Sequence, residues 1–166
     1  MDSEAPLPVY TEEEVAYAQA LKATFPESRL PGDLTEDNPQ VKQFVLEKTQ
    51  GGTRPLNDFV MPYVSASPFS PGSTDVGDVS WLTPTAQFNA VTIPSGAPGH
   101  SWQTVSCGRT SLAHKGMLYA AKVLAASVSE LMTDEALLAK ARAEFTVTAA
   151  QGYDCPIPAD LIAAPQ

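Results

Sequence analysis

The segment TAQFNAVTI, residues 85–93, constrains this chain more than any other, because it reads as a β-strand with no clear second strand to pair with. Ala86, Phe88 and Ala90 alternate with Gln87 and Asn89 before the pattern turns apolar at Val91 and Ile93, the period of two expected of a half-buried strand. Everything else with a regular period is helical. In TEEEVAYAQALKATF, Thr11 and Glu14 form a capping box, and Val15, Ala18, Leu21 and Phe25 recur at helical spacing up to Pro26. A second helix is expected over NPQVKQFVLEK, with Asn38 as cap, Pro39 in the first turn and Val41, Phe44 and Val45 as its stripe, until Gly51 and Gly52. Ser111 to Leu131 predicts a long helix with a broad apolar face, including Leu112, Gly116, Tyr119, Ala120, Val123, Leu124, Val128 and Leu131. A further helix restarts at Thr133, with Leu137, Leu138, Ala141 and Phe145 in line. A lone strand cannot satisfy its own backbone donors and acceptors. The expected fold class is therefore α/β, helices packed on part of a sheet, incomplete alone. Further strands lie in the Pro-rich stretch 53–71, where FVMPYV is the extended candidate, or the sheet is completed by another polypeptide or a missing N-terminal half.

The length of 166 residues suits one domain. A net charge of -9, with ten Lys plus Arg, leaves no basic face for phosphates, so neither nucleic acid nor an anionic membrane surface is an expected partner. Small molecules and proteins remain. Cys107 and Cys155 show no C-x-x-C spacing and form no disulfide framework, which fits a reducing compartment. The opening MDSEAPLPVY is acidic and Pro-rich, unlike a secretory signal, and no apolar run is long enough to span a bilayer. The expected location is cytoplasmic.

Two stretches carry candidate chemistry. PGSTDVGDVSW, residues 71–81, places Ser73, Thr74 and Asp75 after Gly72 at the entry to a short helix, where a hydroxyl caps and free amides face an anion. A plainly capped helix, with Asp75 and Asp78 on one face near its positive end, is the competing reading. SGAPGHSWQ, residues 95–103, presents His100 behind Gly96, Pro98 and Gly99, directly after the expected strand, where open α/β sheets put ligands. A loop histidine is also an ordinary hydrogen-bonded side chain, and a metal role needs partner ligands. His114, in the first turn of the long helix, reads as a packing or hydrogen-bonding residue.

GSTDVGDVSWLTPTAQ, PGHSWQ and AHKGMLYAAKVLA, in that order, with PVYTEEE near the start and YDCPIP near the end, resemble the C-terminal segment of the two-metal amidohydrolases and peptidases. That family includes aminoacylases and carboxypeptidases releasing glutamate. The resemblance runs over most of residues 8–162. It implies a zinc-peptidase-like catalytic domain, an α/β sandwich interrupted by a dimerising lid, of which residues 1–166 would be the part that returns after the lid. Helices, site loops and strand fall in 8–150, and 151–166 is a Pro-rich tail. By position, His100 matches the family's last metal-binding histidine, and Ser73, Thr74 and Asp75, with Gly99, match residues that shape the substrate site. The implied reaction is amide hydrolysis of a small acyl amino acid such as a glutamate conjugate, with two divalent ions, zinc or manganese, in the complete enzyme. The other family ligands, the bridging carboxylate and the general-base glutamate belong to an N-terminal half whose motifs do not occur here. That half, or a partner subunit carrying it, is the expected partner, and the chain alone is expected to be inactive. A non-catalytic interaction module derived from the family is the alternative.

Overall fold

Local capping chemistry sets where the helices begin. Thr11 accepts from the Glu14 amide while the Glu14 carboxylate accepts from the Thr11 amide, and this reciprocal pair opens α1 (Glu12–Lys22). Asn38 accepts from the amides of Gln40 and Val41 and opens α2 (Pro39–Lys48), with the proline in the first turn, where its missing N–H costs nothing. Asp134 accepts from the Leu137 amide to start α6 (Glu135–Ala149). The remaining helices are α3 (Val76–Ser80), α4 (Trp102–Cys107) and α5 (Ser111–Thr133). The computed structural model describes residues 6–25, 38–63 and 74–154. Among them, no helix is long and apolar enough to cross a membrane.

The chain divides into two units. The first comprises Met1–Ser70 and Asn89–Ser127, the second Pro71–Phe88 and Val128–Gln166. In the first unit, Ala18 of α1, Leu56 and Leu112 of α5 form the core, with Tyr10 and Val91 packed against it. α1 turns Glu14, Ala18 and Leu21 inward and leaves Val15 40% exposed, so its buried face is rotated from the one expected. Cys107, at the end of α4, is completely buried, and burial pushes its thiol up, against hydrogen bonds with Tyr17 and Ser106 that pull the other way. Polar bonds tie the pieces: Gln103 Nε2 donates to Thr24 Oγ1 at 3.2 Å, and the Tyr17 hydroxyl to Ser106 Oγ at 3.0 Å. In the second unit no described residue is fully buried. Leu137, Leu138, Ala141 and Phe145 of α6 are half-buried. Trp81 stacks on Tyr153 at 5.3 Å, and the Tyr153 hydroxyl donates to the Asp78 carboxylate.

The expectation of an α/β fold with helices packed on part of a sheet is overturned. Among the described residues there is no strand: 85–93 is irregular, and so is 59–63 of FVMPYV, whose Val64 lies outside the described residues. The physical reason is pairing. Among the described residues no second strand lies beside 85–93, so it has no ladder to join there. Its alternation is used at one point, where Val91 meets α5: a Cβ on Gly116 would lie 1.9 Å from the Val91 carbonyl oxygen. The apolar end of the segment is thus covered by a helix, while Phe88 stays 41% exposed.

Candidate functional site

The His100 loop is fastened at its start. Pro94 is fully buried and Ser95 is 3% exposed. The Ser95 amide donates to the Pro55 carbonyl at 2.8 Å, and Lys22 Nζ donates to the Ser95 carbonyl at 2.9 Å. Gly96 turns the chain at φ 77, and the Ala97 amide donates back to the Pro94 carbonyl at 3.1 Å. The Pro98 carbonyl then accepts two hydroxyls, Ser101 Oγ at 2.6 Å and Thr104 Oγ1 at 2.8 Å. Ser101 also caps α4 by accepting from the Thr104 amide at 3.3 Å.

This double anchor leaves His100 exposed in the left-handed region, at φ 52. A side chain there costs roughly 1–2 kcal/mol, which the surrounding bonds must hold in place. Gly99 has neither a left-handed φ nor a close neighbour, since a Cβ would meet nothing within 4 Å. Trp102 opens α4 beside the histidine and is 61% exposed.

The other expected residues are less constrained. Ser73 lies outside the described residues. Thr74 is exposed, and its hydroxyl accepts from the Val76 amide at 3.4 Å. Asp75 precedes α3 without a side-chain capping bond. Thr74 and Asp75 belong to the second unit, and Gly99 and His100 to the first. His114 is exposed on α5. No group of three or more His, Cys, Asp or Glu side chains that could hold a metal ion occurs among the described residues.

Glu14 is the residue that sequence reasoning placed only as a cap. Its side chain is 6% exposed and accepts from Ser111 Oγ at 2.6 Å and from Lys115 Nζ at 2.6 Å. Burial alone would raise its pKa, but the hydrogen bonds from Lys115, Ser111 and the Thr11 amide outweigh it and hold the carboxyl down at about 2. Lys115 also donates to the Val9 carbonyl at 2.9 Å and lies over the Tyr10 ring. Burial, with the negative charges of Asp58 and Glu14, pushes the Tyr10 hydroxyl up. Thr11, Glu13, Glu14, Tyr17, Thr110, Ser111 and Leu112 line a cleft of about 250 Å³ here. A carboxylate this occupied is a poor proton acceptor, and its role is to pin α1 to α5. The signal was available: Glu14, Ala18 and Leu21 share one helical face, which puts a carboxylate in line with the buried stripe.

Comparison with curated proteins gives a relative across nearly the whole chain. It is 39% identical over 163 residues, 95% of this chain, to one of the subunits of p-aminobenzoyl-glutamate hydrolase from Escherichia coli (strain K12). The matched region is a C-terminal part of that protein, and the chain spans 33% of its length. The resemblance read from the motifs is borne out at this level. No protein-family model and no solved structure matches.

Proposed function

We propose that this chain, a relative of the C-terminal third of a p-aminobenzoyl-glutamate hydrolase polypeptide, is the C-terminal portion of a metal-dependent amidohydrolase cleaving an acyl amino acid amide bond. Aminobenzoyl-glutamate is the substrate the relative's name suggests. The observation that carries the proposal is the 39% identity over 95% of the chain. In this reading His100 is one neutral imidazole ligand to a zinc or manganese ion, whose other ligands come from polypeptide outside these residues. Such a metal, when bound, polarises the amide carbonyl and activates water. Support for the histidine's role comes from its exposure in a left-handed conformation on a doubly anchored loop, the kind of strain retained where a side chain must be aimed. Ser73, Thr74, Asp75 and Gly99 would contribute to the substrate side. A cytoplasmic location fits the free, buried Cys107.

The test is assembly with the N-terminal two-thirds of the Escherichia coli relative, followed by metal content and hydrolysis of aminobenzoyl-glutamate. The chain alone should show no turnover. In the assembled enzyme, His100→Ala should lower metal per active site and collapse turnover, while His114→Ala should leave metal content unchanged. Unchanged metal stoichiometry in the His100 variant would return it to an ordinary loop histidine.

A further inference from the structure

α5 is apolar on both sides. Between Gly116 and Val128, Lys122 is the sole charged residue. One face, with Leu112, Ala113 and Gly116, is buried within the first unit, where Gly116 lies tight against the Val91 carbonyl. The opposite face carries Met117, Leu118, Ala121, Leu124 and Ala125, spaced three and four residues apart, and all five are exposed. Met117 is 58% exposed, Leu118 57% and Leu124 55%. A helix apolar all round belongs inside a protein or a bilayer, and no described helix is suited to crossing a membrane. Ala121 and Ala125 keep the centre of this face low, so another backbone can approach closely, with Met117, Leu118 and Leu124 as the knobs around it. The matched relative extends well beyond the aligned region, which is 33% of its length and C-terminal. Polypeptide to cover the face therefore exists in a protein of this kind.

We infer that the Met117–Leu118–Ala121–Leu124–Ala125 face of α5 is the surface on which the N-terminal remainder of the hydrolase polypeptide docks. This rests on the proposed function and adds the place of contact. The probe is the N-terminal two-thirds of the Escherichia coli relative, tagged and co-expressed with this chain, with the relative's own C-terminal third as positive control. The expected result is one-to-one capture of this chain. The Leu118→Glu, Leu124→Glu double variant should reduce capture by about tenfold or more, while Val60→Glu, which alters an apolar side chain 64% exposed elsewhere in the first unit, should be captured normally. Both substituted leucines face solvent, and equal helix content in the variant and the parent chain verifies that folding is intact. Undiminished capture of the double variant overturns the assigned surface and leaves the hydrolase reading standing. Failure of the parent chain where the positive control succeeds sinks the hydrolase reading and the surface with it. A dimer of this chain that the double variant splits, with capture unaffected, makes a second copy the occupant and also overturns the assignment.

Discussion

Glu14 converts a helix cap into a tertiary link. Its ordinary pKa is 4.5 and its folded value is about 2, because Lys115, Ser111 and the Thr11 amide favour the charged form more than burial opposes it. The folded state thus binds the proton less tightly than the unfolded chain, and the extra stability is fully present above pH 4.5. It is lost as pH falls from there through about 2. The contribution is of order 1–2 kcal/mol, below a full conversion of the shift because Lys115 is partly exposed to solvent. Urea denaturation followed between neutral and acid pH checks this. Glu14→Gln should cost a similar amount at neutral pH and flatten the acid limb. An unchanged acid limb in that variant would assign the acid sensitivity to other carboxylates.

At the scale of elements, two glycines that look alike in the sequence are expected to differ in their tolerance of a side chain. Gly116→Ala places a Cβ 1.9 Å from the Val91 carbonyl oxygen and 3.0 Å from Thr92 Cγ2. The backbone must shift, and the expected loss is about 1–3 kcal/mol, exceeding the gain of about 1 kcal/mol that alanine brings to a helix interior. Gly99→Ala meets nothing and should stay within about 0.5 kcal/mol of the parent chain. Thermal melts of the two variants decide it, and equal stabilities would mean that α5 does not press on Val91. The helix starts at Thr11, Asn38 and Ser111 were legible because capping and periodicity are local. α4 was not legible: from Trp102 to Cys107 it is too short to display a period. The strand expected at 85–93 failed because alternation specifies a face but not what covers it. Here α5 covers Val91, and among the described residues no backbone hydrogen bond pairs 85–93 with another segment. The position of His100 behind the Gly-Ala-Pro-Gly turn was readable, whereas its left-handed φ depends on the two hydroxyls gathered on the Pro98 carbonyl. No group of three or more His, Cys, Asp or Glu side chains gathers around His100 among the described residues, so neither the sequence nor these residues display a complete ligand set.

For the molecule as a whole, the exposed apolar residues on α5, with Val105 79% and Met132 82% exposed, imply that the separate chain self-associates as concentration rises. Light scattering over a dilution series checks this, and a monomer persisting to high concentration with a sharp cooperative melt would contradict it. The buried Cys107 offers an independent view of the same molecule. In a Cys155→Ser background it is the remaining thiol, completely covered and with its pKa raised by burial. Alkylation must wait for the first unit to open. Iodoacetamide uptake should be slow in buffer, accelerate sharply in denaturant, and slow further when an added polypeptide stabilises the closed form. Labelling in buffer at the rate of an unhindered thiol would refute that packing. The cysteine is in effect a clock whose ticks count openings of the fold, independent of any catalytic assay.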